Sequence, residues 1–237
     1  MKKLLVPLCA ALLASNAAYA DSYVRAAYSQ ANYDEQDLSI GVTGPGGGVL
    51  LFDGYDYGSS DYFSLAYGMS ISERISAEVE LAYPMSDTES SSVLVGDGGA
   101  LSAPGTFELE AESLQLTINA AYHFMERKAG GLDPYVMAGI GIADNSIEGQ
   151  RVTLTPTNFA TVEDGDGTEF MYKFGAGLGY HINDKMTVDL SVTYVDAGTV
   201  ESGKSAAGAG TSPVPLSEAL EFELETINYG LGFSYAL

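Results

Sequence analysis

The chain of 237 residues has no tryptophan, one cysteine, two histidines, and only 10 Lys and Arg against 32 Asp and Glu. A formal net charge of −22 excludes nucleic acid as a partner, since phosphate-backbone binding needs a surplus of basic side chains. Disorder is excluded as well, because 46% of the residues are hydrophobic and disordered acidic chains are poor in such residues. Past residue 20 no apolar run approaches the roughly 20 residues that a membrane helix needs. A bundle of membrane helices is therefore ruled out. A membrane β-barrel is not, because its apolar residues fall at every second position.

The N-terminus has the layout of an export signal. Lys2 and Lys3 precede an apolar stretch from Leu4 to Leu13, and Ala18-Tyr19-Ala20 supplies the small-x-small pattern before a cleavage site. The expected division is a signal peptide over residues 1–20 and one domain over residues 21–237. Cys9 lies inside the leader and follows Pro7-Leu8, which does not suit lipid attachment. The exported chain then has no disulfide, and its stability must come from a large core or a closed sheet.

The period along the rest of the chain is two. Phe63, Leu65, Tyr67, Met69 and Ile71 alternate with Ser64, Ala66, Gly68 and Ser70. The same alternation runs from Ile75 to Tyr83, Leu114 to Phe124, Phe170 to Ile182, Met186 to Tyr194 and Ile227 to Leu237. Tyr23 to Ala31 and Pro134 to Ala143 are weaker strands, and both faces of the latter are fairly apolar, which leaves its phase ambiguous. Successive side chains of a strand point to opposite faces. One face thus carries long aromatic and branched residues without a charge, and the other carries Gly, Ser, Ala, Thr and all the strand charges. Eight strands enclose only enough space for side chains to fill, so the large residues are expected to point outward into lipid. A soluble β-sandwich is the competing arrangement, but its outer faces should be richly charged rather than filled with Gly and Ala.

Seven connections join the eight strands, and they alternate long and short. The long ones run roughly over residues 32–61, 84–112, 144–169 and 196–225, and each holds six Asp or Glu. The short ones centre on Ser72-Glu73-Arg74, on Met125 to Gly131, and on Asn183-Asp184. The expected fold is all-β: an eight-stranded antiparallel up-and-down transmembrane β-barrel with long extracellular loops and short periplasmic turns. Nearly all the net negative charge then sits at one end of the molecule. Alternation inside the loops, at Val49 to Phe52 and Phe222 to Leu224, implies hairpins that continue past the membrane.

Two stretches carry a family resemblance. Pro134-Tyr135-Val136-Met137-Ala138-Gly139-Ile140-Gly141 is similar to the fifth strand of the OmpA-like, or opacity-type, outer-membrane β-barrels. Gly175-Ala176-Gly177-Leu178-Gly179-Tyr180-His181-Ile182-Asn183-Asp184, with Asp189 and Tyr194, resembles their sixth and seventh strands. The resemblance implies integral residence in the cell outer membrane after export, contact with outer-membrane lipids and lipopolysaccharide, and insertion by the barrel-assembly machinery. That machinery reads a C-terminal strand ending in an aromatic residue; here Phe233 and Tyr235 fit, and Leu237 replaces the usual final Phe.

Inside the barrel the alternation places Arg25, Glu78, Glu80, Lys173 and Asp189. Buried ions are costly unless paired, so two cations and three anions on facing walls predict a salt-bridge network that plugs or gates the lumen. Arg25, Glu78 and Asp189 are expected to meet, and Lys173 to reach Glu80. His123 and His181 face inward near short turns and read as polar fillers, since two ligands do not complete a zinc site. Glu163 to Glu169 is rich in Asp-Gly, and Asp164, Asp166 and Glu169 are its candidate calcium ligands, though it lacks the ligand spacing of an EF-hand. No cofactor is implied, and no Ser-His-acid set is placed near the outer leaflet. The expected function is a non-enzymatic integral barrel that presents acidic loops for envelope structure, adhesion or contact with an extracellular cationic or host partner. A narrow porin-like channel for ions or small solutes is the alternative.

Overall fold

A computed structural model describes residues 22–33, 36–41, 49–55, 58–85, 95–96, 106–155, 158–208, 214–215 and 219–237. The leader expected over residues 1–20, with Cys9, lies outside the described residues, as do parts of the long connections.

Eight long strands form the body: β1 (Ser22–Tyr33), β2 (Ser59–Ser70), β3 (Ile75–Pro84), β4 (Thr106–His123), β5 (Leu132–Thr155), β6 (Gly165–His181), β7 (Met186–Glu201) and β8 (Glu221–Ala236). Each pairs antiparallel with its neighbour in the chain. β8 also pairs with β1, from Tyr23 opposite Ala236 to Tyr33 opposite Thr226, and this closes the sheet. Closure removes the unpaired edges that an open sheet would present.

The short connections are built from local side-chain caps. Ser72 Oγ accepts hydrogen bonds from the Arg74 and Ile75 amides at 3.3 and 3.1 Å. Asn183 Oδ1 accepts from the Lys185 and Met186 amides at 2.8 and 3.0 Å. Such caps are the usual way Ser and Asn hold a tight turn. In the longer turn Lys128 pairs with Glu126 and holds its carboxyl below the ordinary value. The first and last strands meet at this same end, where the Leu237 amide donates to the Ser22 carbonyl at 2.9 Å.

Across the middle of the strands the outward face is apolar. Phe170 is 63% exposed, Leu190 60%, Ile140 59% and Leu65 55%. Side chains of this kind are normally buried in a water-soluble protein, so the band they form needs hydrocarbon around it. The ambiguous segment resolves in the same sense: Val136, Ile140 and Ile142 point out, and Tyr135, Met137, Gly139 and Gly141 point in.

The long connections are shorter than the sequence reading has them. β5 runs on to Thr155, β6 begins at Gly165, β7 reaches Glu201, β8 begins at Glu221 and β4 begins at Thr106. The short strand Asn158–Val162 pairs with β5 and with Ser205–Gly208. A separate small sheet joins Gln36–Gly41, Val49–Tyr55 and Val95–Gly96. The physical reason for the extension lies on the inner face. At the long-loop end it is not small and polar but apolar, with Ile147, Met171, Val195, Val200, Phe222 and Leu224 fully or almost fully buried in one cluster. Burying them repays continued strand pairing beyond the lipid band.

Candidate functional site

The period-two register brings five charged residues, from four strands, into one lumen. Arg25 of β1 grips Asp189 of β7 with two parallel hydrogen bonds, Nε to Oδ1 at 3.1 Å and Nη2 to Oδ2 at 2.8 Å. This forked geometry is the strong form of an ion pair. One layer further toward the long loops, Lys173 of β6 donates to Glu80 of β3 at 2.7 Å, and both side chains are buried. Glu78 does not bond Arg25. Its Oε2 accepts from the Tyr23 hydroxyl at 3.3 Å and its Oε1 from Asn119 Nδ2 at 3.2 Å. Asn119 Nδ2 also reaches Glu80 Oε2 at 2.8 Å, which links the two layers. Tyr135 donates to Asp189 Oδ2 at 3.1 Å.

Tyr23, Tyr135 and Asn119 are the members that sequence reasoning missed. Their signal is the set of glycines opposite them. A Cβ on Gly68 would overlap the Tyr23 ring, and one on Gly177 would overlap the Tyr135 ring. Gly139 gives room to Asn119, and Gly232 to Asp189 and Arg25. The inner glycines therefore seat rings and ionic groups by close approach.

A second cluster sits at the short-turn mouth. Asp133, at the start of β5, accepts on Oδ2 from His123 Nδ1 at 2.7 Å and His181 Nε2 at 3.3 Å. The far nitrogens of the two rings meet hydroxyls: His123 Nε2 and Ser76 Oγ lie 2.9 Å apart, and His181 Nδ1 and Thr187 Oγ1 2.8 Å apart. Both histidines thus have specific partners and are more than fillers. Ser76, His123 and Asp133 stand in the order of nucleophile, base and orienting acid. Ser76, however, is only 3% exposed, and the backbone around it is engaged in the ladders to β2 and β4. No backbone N–H pair beside it is left to stabilise an oxyanion.

Both clusters border a cavity of about 730 Å³ that opens at the short-turn end. Its wall includes Ser76, His123, Asp133, His181 and Thr187, and its inner end is Arg25, Glu78, Asn119 and Asp189. Lys173 and Glu80 do not border it.

The acidic segment at residues 163–169 is not the loop the sequence suggests. β6 begins at Gly165, so Asp166 and Glu169 lie on an extended strand, where side chains diverge to opposite faces. Asp164 Oδ1 instead accepts the Gly149 amide at 3.2 Å. Extended backbone does not wrap its acids around a cation as a calcium loop does. At the other end of the molecule Phe233 and Tyr235 point outward from β8, and Leu237, just past its end, is exposed.

A family model described as outer membrane protein beta-barrel domain matches residues 4–237. Over 90 residues the chain is 29% identical to outer membrane protein PagN of Salmonella typhimurium, which is 37% of this chain and 36% of that protein. The chain thus spans about a third of the length of the curated relative it matches. The crystal structure of the outer membrane protein OprG from Pseudomonas aeruginosa is similar over 92% of this chain and 96% of that one, at 16% identity and a TM-score of 0.54. At that identity the likeness is one of fold.

Proposed function

The chain belongs to the outer membrane protein β-barrel domain family, and on that premise we propose that it is a non-enzymatic barrel with a plugged lumen that meets its partners through acidic surface loops. The observation that carries the reading is the filling of the lumen at two levels. The paired ions Arg25–Asp189 and Lys173–Glu80 occupy the periplasmic half, and the apolar cluster around Met171, Ile147 and Phe222 occupies the extracellular half. A barrel filled in this way has little to offer a permeating solute. What remains for contact is the loop end, where the segments 32–61, 84–112, 144–169 and 196–225, strand extensions included, each hold six acidic residues. Such a surface attracts cationic partners, including basic segments of a host protein.

The same reading assigns the ends of the chain. Residues 1–20 serve as the export signal, and Phe233, Tyr235 and Leu237 form the strand presented to the barrel-assembly machinery. The outward apolar band faces membrane lipid and, in the outer leaflet, lipopolysaccharide. A narrow channel is the second reading, and the periplasmic cavity is the feature in its favour.

One preparation tests both readings. Reconstituted in planar bilayers, the barrel is expected to show no steady conductance. In lipid nanodiscs it is expected to bind a Lys/Arg-rich peptide, with affinity that falls steeply as the Debye length shrinks from about 30 Å at 0.01 M salt to about 8 Å at 0.15 M. Steady ion-selective current would favour the channel. Salt-insensitive or absent peptide binding would remove the acidic-surface reading.

A further inference from the structure

A dent interrupts the outward apolar band where the sheet closes. The outward residues of β1 run Val24, Ala26, Tyr28, and Ala26 stands opposite Phe233 of β8 and Leu65 of β2. One small side chain among large ones leaves a groove of about 230 Å³ over the seam between β8 and β1, walled by Tyr28, Phe63, Val188, Leu231 and Phe233. We infer that this groove and Lys185 together bind one anionic glycerophospholipid of the periplasmic leaflet, with an acyl chain in the groove and the phosphate on the Lys185 ammonium.

The two ends of the site define the two ends of the ligand. The groove is lined almost wholly by carbon, and water in such a place lacks the polar partners it needs. Its occupant is therefore a hydrocarbon chain. The wall nearest the long loops is fixed, because the Tyr28 hydroxyl donates to Asp61 Oδ1 at 2.6 Å. Toward the short turns the groove leads past Phe233 to Val188, which pair across β7 and β8. Lys185 stands three residues before Val188, about 10 Å at the rise of an extended chain. Its Nζ lies 5.6 Å from the centroid of the Tyr235 ring, within reach of a cation–π contact. Tyr235 points outward, so the ammonium is held on the lipid side of the rim, at the depth of the headgroups.

The other cations of this rim are engaged within the chain. Lys128 pairs with Glu126, Arg74 donates to the Tyr122 hydroxyl at 3.4 Å, and Arg127 donates to the Ser72 carbonyl at 3.2 Å. Lys185 is in none of the ion pairs among the described residues. A zwitterionic headgroup balances its phosphate with its own cation, whereas an anionic one leaves a net charge for the lysine. A lysine that only reaches for the interface needs no groove in line with it. Cation and groove on one track, at headgroup depth and at acyl depth, match a single phospholipid. Bound there, it covers the pairing of the first and last strands.

The test uses the exported chain purified in detergent micelles doped with dioleoylphosphatidylglycerol or with dioleoylphosphatidylcholine, and counts retained lipids by native mass spectrometry. The expected result is one phosphatidylglycerol per barrel, held in preference to phosphatidylcholine. Ala26→Leu should weaken its retention by more than about 10-fold, because leucine occupies the space of the chain. Ala120→Leu, the same change at an exposed position on the outward face of β4, should leave retention unaltered. Lys185→Gln should lower the preference for phosphatidylglycerol by about 5-fold, the worth of one lysine near an anionic headgroup. Folding of each variant is checked by its gel shift without boiling. Should Ala26→Leu not fold, Lys185→Gln, in an exposed turn, decides alone. Equal retention by the Ala26→Leu and Ala120→Leu barrels, or a preference for phosphatidylglycerol that survives Lys185→Gln, would overturn the assignment.

Discussion

Lys173→Met is expected to lower the unfolding free energy by about 3–5 kcal/mol, the usual cost of leaving one member of a buried ion pair without its partner. Glu80 would be left inside the barrel without its cation, keeping only neutral donors, Asn119 at 2.8 Å and the Ser64 hydroxyl. The double variant Lys173→Met with Glu80→Gln is expected to recover most of that loss, because it removes both charges together and leaves a neutral amide beside Asn119. Urea unfolding in detergent micelles, followed by the gel shift of the folded barrel, measures both. Equal losses in the single and double variants would mean that packing of the lysine stem, and not charge pairing, carries the effect. No loss in the single variant would mean that lumen water screens Glu80 and that the plug is hydrated.

Two neighbouring glycines on the inner face of β6 are expected to respond very differently to the same small change. An alanine Cβ at Gly177 would overlap the ring of Tyr135. The ring must leave its seat, and the Tyr135 hydrogen bond to Asp189 goes with it. Overpacking costs about 1–3 kcal/mol, and loss of a hydrogen bond to a charged group adds about 1.5–3 kcal/mol. Gly177→Ala should therefore destabilise by more than about 2.5 kcal/mol. At Gly179 the nearest atoms to an added Cβ are 3.5 Å away, an ordinary contact, and Gly179→Ala should change stability by no more than about 0.5 kcal/mol, as for an unremarkable site. The same unfolding assay compares them. If Tyr135→Ala restores a Gly177→Ala barrel, the ring seat is the cause. Similar values for the two glycines would show that it is not.

The outer surface of this molecule is legible in its sequence because lipid imposes one rule on every strand. Leu65, Leu178 and Leu190 are exposed in three different strands for the same reason, and a chain that lacks long apolar runs announces the rule by alternation alone. The meeting of Lys173 with Glu80 follows from the same register. Tyr135 was harder to place because its strand is apolar on both sides, with Val136, Ile140 and Ile142 against Met137 and the glycines. Glycine was harder still. Gly68 and Gly177 read only as small residues of the inner face, yet each is the seat of a ring that arrives from a neighbouring strand, and nothing local to the glycine names that ring. Asp133 was hidden by position, since an acid just before Pro134 reads as a turn residue. At the loop end the alternation of Phe222 with Leu224 marks a continued hairpin, as β8 shows, whereas Ile147 and Val200 are hidden by the acids interleaved with them. The acids suggested a solvated loop, while the apolar residues between them were building a core that only the closed barrel brings together.

The whole account rests on large apolar side chains meeting acyl chains. Nitroxide labels at Leu65→Cys, Leu178→Cys and Leu190→Cys, in the exported chain reconstituted in bilayers, read that environment by relaxation with dioxygen and with a water-soluble nickel chelate. The expected result is strong relaxation by dioxygen and weak relaxation by the chelate at all three positions, which lie on β2, β6 and β7. Free access of the chelate to these three labels, with dioxygen no more effective than at a label in water, would mean that the apolar face does not meet lipid.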